Sequence, residues 1–225
     1  MIMYEFAKSE NEIIHINEAI KEKKYHCIEC KRELIPCQGE IREYHFKHKR
    51  ESNCNKESYL HKTAKNIIYE KIKNNQNFVI EYPFIGEIKK FNLKDFDIEI
   101  EKKDHEFIPD LNLKKENKKI YIEINVTHKI EQNKINSKIP IIEINIKDQN
   151  DLKILKSGIW KYSKKPTNFY NCQFQIQQKK YLRQKYLNKF ENHFLQIKEE
   201  ESKDYIILKG RKHKKPKKLI TSTII

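Results

Sequence analysis

No apolar run in this 225-residue chain approaches the ~18 residues that a membrane-crossing helix needs, and no signal peptide is visible. The expectation is a protein without a membrane span. Cysteine is sparse: Cys27, Cys30, Cys37, Cys54 and Cys172 are odd in number and clustered at one end. That distribution does not suit a disulfide framework and fits a reducing cytosol best. Hydrophobic residues are few, at 37% against 35% charged, although 12 Tyr and 11 Phe still supply material for a core. Tryptophan occurs once, at Trp160, where a core or interdomain plug is its simplest role. Acid is the other shortage. With 47 Lys+Arg against 32 Asp+Glu the chain carries a net +15, and its pI near 9.4 points to a polyanionic partner. Part of that excess reflects a sequence rich in Ile, Asn and Lys throughout. The length allows one good core plus an appendage.

The first segment reads as β structure. IMYEFA and EIIHI alternate apolar and polar residues and predict an N-terminal hairpin within Met1–Ile20. The stretch that follows holds five potential metal donors within 28 residues: Cys27, Cys30, His45, His48 and Cys54. A Cys-x-x-Cys turn brings its two sulfurs to one side, and a structural Zn²⁺ takes four donors in a tetrahedron. Cys27, Cys30, His48 and Cys54 are the first choice, with His45 the substitute for His48. Cys37 lies close to Pro36 and the turn at Gly39 and ranks below them. No thioredoxin-like βαβ pattern surrounds the pair, which argues against a redox role. Zinc would staple a segment too small to fold on its own core.

Glu57–Asn74 predicts a helix whose buried stripe is Leu60, Ala64, Ile67, Ile68 and Ile72. Glu57, His61 and Lys65 stack on one face at i, i+4 and i+8, which on its own is an ordinary exposed ladder. Three alternating runs, NFVIEYPFIG, FDIEIE and FIPDLNL, lead into KKIYIEINV and suggest an antiparallel meander. A short polar helix over His128–Ser137 and a strand over Ile139–Ile146 complete the series. On the strand near Ile122, alternation sends Ile120, Ile122, Ile124 and Val126 to the core and Glu123 and Asn125 to the opposite face. A hairpin can bring Asp110 beside them. Two carboxylates that close repel unless a proton or a cation sits between them, and Mg²⁺ is the usual choice because it is hard and keeps several waters.

Ile-Pro-Asp ending at Asp110, with Glu123-Ile124-Asn125 following, resembles the PD-(D/E)XK nuclease core. The run from Glu123 to His128, the second Ile-Glu-Ile strand, and Cys27, Cys30, Gly39, His45-Phe46-Lys47-His48 and Cys54 together resemble CoiA-like competence proteins. The likeness covers roughly residues 25–146. It implies an α/β restriction-endonuclease-like core (helix, antiparallel meander, helix, strand), a small N-terminal zinc-binding β module, and a helical, basic C-terminal extension. The corresponding segments are 1–56, 57–150 and 151–209, with a basic tail over 210–225. By the same likeness Asp110 and Glu123 hold Mg²⁺ or Mn²⁺, with the Ile124 carbonyl as a further ligand. Asn125 stands where the family pattern has lysine. It can hold a water but cannot carry charge. Glu57 is then an extra carboxylate and Lys65 a cation near the scissile phosphate, able to take over the task that Asn125 cannot perform.

Contacts to nucleic acid are expected from His61, Lys62, Thr127, His128 and Lys134 around the site, and from Arg211, Lys212, Lys214 and Lys215 in the tail. Thr127 has a second reading, as the cap of the helix that follows. Residues 174–202 predict a long polar helix in which Tyr181, Leu182, Lys185, Lys189 and Phe190 interleave rings and cations. Its ordinary reading is a solvated helix with one docked stripe. The chemistry implied is Mg²⁺-dependent hydrolysis of DNA in a cytoplasmic setting, with no membrane and no small-molecule cofactor. Two other readings stand beside it: a zinc-containing DNA-binding protein whose nuclease core is weak or inactive, and an adaptor docked on a DNA-processing partner.

Overall fold

The structure, a computed structural model, describes residues 4–127, 130–162, 167–200, 205–208 and 211–214, with side chains described as far as residue 192. It divides into two compact units, Met1–Gln175 and Ile176–Ile225.

The first unit opens with a five-stranded sheet. Strands β1 (Phe6–Ser9), β2 (Glu12–His15), β3 (Tyr25–His26), β4 (Glu33–Cys37) and β5 (His45–His48) lie in the order β2-β1-β3-β4-β5. The expected hairpin is β1–β2, and its alternation buries Phe6 and Ile13. Helix α1 (Lys56–Lys73) follows at once, started by Asn55, whose side chain accepts the Glu57 N–H at 2.7 Å. Its predicted stripe is buried as expected, every member at 2% exposure or less. Tyr59 ties the helix to β1: its hydroxyl donates to the Phe6 carbonyl at 2.9 Å and accepts the Phe6 N–H at 3.0 Å. One hydrophobic cluster therefore runs from Tyr4 through α1 to Trp160, and among the described residues the buried apolar side chains of the N-terminal module belong to it.

After α1 come β6 (Val79–Phe84), β7 (Glu87–Asn92), β8 (Asp97–Ile100), β9 (Leu111–Lys115) and β10 (Lys118–Asn125). The meander is β8-β9-β10 only. The first of the predicted runs, β6, leaves it to pair with β7, a strand the alternation did not reveal because EIKKFN is almost wholly exposed. Next are α2 (Gln132–Asn136), β11 (Ile141–Asn145), α3 (Gln149–Ser157), β12 (Ile159–Trp160) and β13 (Thr167–Tyr170). Strand β11 lies parallel to β10, giving a second sheet in the order β13-β11-β10-β9-β8, while β12 runs parallel to β6 in a third, β12-β6-β7. Helix α2 is five residues long, shorter than expected. Thr127 does not cap it, since Glu131 holds that position and the Thr127 hydroxyl donates to Glu57 instead.

The sequence places a C-terminal extension from residue 151; the first unit continues through Gln175. Helix α3 is capped by Asp148, whose side chain accepts the Asn150 and Asp151 N–H groups, and it buries Leu152 and Leu155. It ends at Gly158 in the left-handed region, φ +83°, where a Cβ would meet the Asn77 carbonyl oxygen at 2.7 Å. Trp160 is fully buried, its indole N–H donating to the Thr167 hydroxyl at 2.7 Å, as a core plug requires. Helix α4 (Gln173–Glu200) leads into the second unit, where β14 (Tyr205–Leu208) and β15 (Arg211–Lys214) pair antiparallel.

Candidate functional site

Two constellations carry chemistry, and α1 follows directly from one and lines the other. The first is Cys27, Cys30, His48 and Cys54, whose ligand atoms all lie within 4.8 Å of one another. Cys27 leaves β3 into a tight turn closed by Lys31, whose N–H donates to the Cys27 carbonyl at 2.9 Å with Lys31 at φ 61°. That turn presents Cys30 beside Cys27. Strand β5 delivers His48, and Cys54 precedes the cap of α1.

Sulfur to sulfur, Cys27 and Cys54 are 3.7 Å apart; the His48 Nε2 lies 3.6 Å from Cys54 and 3.2 Å from Cys30. Ligands at ordinary zinc distances on a tetrahedron are separated by about 3.6–3.8 Å. The donors fit that ion, and this Cys₃His cluster could bind zinc. Burial, with the charge of Arg32, holds the His48 imidazole below its ordinary range and favours the neutral form a metal needs. Burial raises the Cys27 and Cys54 thiols, so a bound cation would have to displace their protons. His45, the alternative, is three residues from His48 and so points to the other side of the strand. There its ring meets the Glu43 carbonyl at 2.8 Å.

The second constellation surrounds a cavity of about 630 Å³ lined by residues from α1, β10, α2 and β11 and by the segment before β9. Asp110 and Glu123 both face it, together with Glu57, His61, Lys62, Asn125 and Lys134. Asp110 is held from three directions. Its Oδ2 accepts the Ile124 N–H at 2.8 Å and lies 3.1 Å from His61 Nε2, and the Lys65 ammonium lies 3.4 Å from Oδ1. Burial pushes this carboxyl up, but the hydrogen bond and charge of His61, the Ile124 N–H and Lys65 outweigh it and keep it below its ordinary range. Lys65 is itself 2% exposed and also pairs with Glu101.

Glu123 behaves oppositely. Burial, aided by the negative charge of Asp110, pushes it up to about 7, against the pull of the Lys134 ammonium 2.9 Å away. Two neighbouring carboxyls, one held ionised and one raised, make the site a place where a cation competes with a proton. Asn125 is engaged elsewhere: its amide donates to the Asn145 oxygen at 2.8 Å.

Of the other residues read from sequence, Thr127 is joined to Glu57, and His128 and Lys215 lie outside the described residues. Arg211, Lys212 and Lys214 are on β15 in the second unit. The sequence reading missed Glu143. It is fully buried, lines the same cavity, and accepts from the Ile130 N–H at 3.0 Å, the Asn168 amide at 2.6 Å and the Tyr170 hydroxyl at 3.2 Å. A signal was present, because Ile-Glu-Ile-Asn occurs twice, at 122–125 and 142–145. The parallel pairing sets the copies in register, Glu123 opposite Glu143 and Asn125 opposite Asn145. Lys134 on Glu123 and Glu101 on Lys65 had no local signal, since each is a tertiary pairing.

Among known families, residues 8–57 match the one described as Competence protein CoiA, N-terminal domain. The matched stretch runs from β1 into the first turn of α1 and contains the whole Cys₃His cluster. No curated protein and no solved structure matches the chain. No helix among the described residues is long and apolar enough to cross a membrane.

Proposed function

We propose that this chain is a divalent-metal-dependent nuclease acting on DNA, with a role in competence or a related DNA-processing event in the cytoplasm. The observation that carries the reading is the convergence of Asp110 and Glu123 on one cavity with basic side chains against both. The N-terminal match supplies the competence setting. The net charge of +15 supplies the reason a polyanion would be drawn to it.

Asp110 and Glu123 are the residues that would hold Mg²⁺ or Mn²⁺: both are oxygen donors, and Glu123, raised first by burial and then by the charge of Asp110, is a carboxyl whose ionised form a cation would favour. When bound, such an ion polarises a phosphoryl oxygen and lowers the pKa of its water. The protein's own groups do the rest. His61, the Ile124 N–H and Lys65 keep Asp110 charged and fixed. Lys134 places an ammonium beside Glu123, supplies a charge that Asn125 cannot, and serves the developing negative charge of the phosphate. Lys62, exposed at the rim, collects the backbone. Glu57, on the cavity wall, accepts from the Thr127 hydroxyl just beyond the end of β10.

One observation favours a second reading, a zinc-containing DNA-binding protein with little or no cleavage: the Asn125 amide N–H already donates to Asn145, which takes up a donor that would otherwise orient a water. Plasmid and single-stranded DNA incubated with Mg²⁺ or Mn²⁺ separate the two. Cleavage that disappears in Asp110→Ala and Glu123→Ala while binding persists supports the nuclease. Binding without metal-dependent cleavage in any of these conditions supports the second reading.

A further inference from the structure

A second cavity, of about 590 Å³, lies at the other end of β10 and β11 and shares no lining residue with the acidic one. Its floor is Ile80, Ile120 and Ile142, and its walls are aromatic: Tyr82 and Phe91 from the β6–β7 hairpin, Phe169 from β13 and Phe174 from the start of α4. The rings contact one another, with centroids 4.4 Å apart for Tyr82–Phe174 and 5.1 Å for Phe169–Phe174. All four are only partly buried, so ring surface remains open to a ligand.

The rim has one sign. Among the described residues Lys118, Lys119 and Lys138 line it and no Asp or Glu does. Lys119 is neutralised by Asp104 at 2.7 Å, but Lys118 and Lys138 are exposed, and Lys118 faces Lys115 across the β9–β10 turn.

We propose that this groove binds unstacked bases of a single-stranded nucleic acid, the bases lying against Tyr82, Phe169 and Phe174 and the phosphates against Lys118 and Lys138. The charge selects the occupant. An uncharged apolar ligand would use the rings and leave the cations unmatched, whereas a duplex keeps its bases stacked inward and offers the rings nothing. A single strand supplies flat apolar faces and anionic linkages together. The inference deepens the DNA-processing reading by naming the substrate class, and its test reads binding alone.

Fluorescence anisotropy with the full chain, at moderate salt and with neither divalent cation nor chelator, compares three probes of equal length: single-stranded thymidine, an abasic strand and a duplex. The base-bearing strand is expected to bind about tenfold or more tighter than the abasic one. Phe174→Leu, which keeps apolar bulk but removes the ring, is expected to erase most of that gap and leave duplex binding within twofold. Photocrosslinking of the unaltered protein with iododeoxyuridine strands does not depend on the variant folding. Adducts at Tyr82, Phe91, Phe169 or Phe174 support the proposal. Equal binding of abasic and base-bearing strands overturns it, as do adducts confined to other residues. A concentration-dependent dimer broken by Phe174→Asp would identify a second copy as the occupant and overturn it too. Because no cleavage is measured, a catalytically silent protein can still pass, and an active nuclease can still fail.

Discussion

Replacing Glu123 by Gln tests the electrostatics of the acidic cavity directly. Glu123 titrates near 7 in the fold against an ordinary 4.5, chiefly through burial and then through the neighbouring Asp110. Its folded pKa is raised, so the stabilisation that goes with its proton is complete below 4.5 and is lost as pH climbs through 7. The full swing amounts to about 3 kcal/mol, an order-of-magnitude figure that applies because the side chain is 13% exposed. Glutamine cannot ionise and should show no such swing. Urea unfolding of both proteins from pH 5 to pH 8, without divalent cations, gives the difference between them. The parent is expected to lose stability relative to Glu123→Gln as pH rises, by roughly 2–3 kcal/mol across that range. A difference constant within about 0.5 kcal/mol would show that Glu123 is not raised, and the argument for a cation-hungry site would fall with it. Lys134→Met sharpens the test: with the ammonium at 2.9 Å removed, Glu123 should hold its proton to still higher pH.

The zinc reading predicts one zinc per chain by elemental analysis, lost in Cys54→Ser and kept in His45→Ala, since His45 faces away from the cluster. Loss of the metal should lower stability by several kcal/mol, readable in thermal melts before and after chelation. Gly158→Ala should cost about 2 kcal/mol or more in urea unfolding, because the added carbon meets a backbone oxygen at 2.7 Å and φ is +83°. Lys65→Met leaves Asp110 with His61 and the Ile124 N–H but without its buried cation. If the nuclease reading holds, metal-dependent cleavage should fall at least about tenfold; an unchanged rate would remove Lys65 from the site.

What the sequence made legible were features whose spacing is local. The α1 stripe follows a 3.6-residue period and is buried as read. The Cys-x-x-Cys turn, with His48 and Cys54 within 28 residues, gathers as read because short strands leave few ways to arrange them. Alternation on β10 put Glu123 and Asn125 on one face. Failures came where the partner is distant. Strand β6 departs to meet β12, nearly 80 residues on, and nothing in NFVIEYPFIG announces that. Tyr121, which alternation puts on the same face of β10 as Glu123, is fully buried, because Phe107 and Ile141 pack with it in a second small cluster. Helix α2 is short because Thr127 donates to Glu57 instead of capping it, and the helix begins only after Glu131, whose side chain makes no cap hydrogen bond.

The N-terminal cluster and the acidic cavity are coupled through one helix end. Cys54 belongs to the cluster, Asn55 is the cap of α1, and Glu57 donates its N–H to that cap at 2.7 Å. One and two turns further on, the same helix carries His61 and Lys65 to Asp110. Anchoring Cys54 therefore fixes where α1 begins and, through a rigid rise of about 1.5 Å per residue, where both basic groups end. Tyr59, bonded to the Phe6 backbone, fixes the helix rotation from the side of the sheet. A metal that only stapled the small sheet would affect stability alone. A metal that also sets the start of α1 should, when removed, loosen His61 from Asp110 and let that carboxyl rise toward its ordinary range. NMR titration of Asp110 in zinc-loaded and zinc-free protein distinguishes these cases. Unchanged Asp110 titration in a protein that remains folded without zinc would confine the cluster to the sheet.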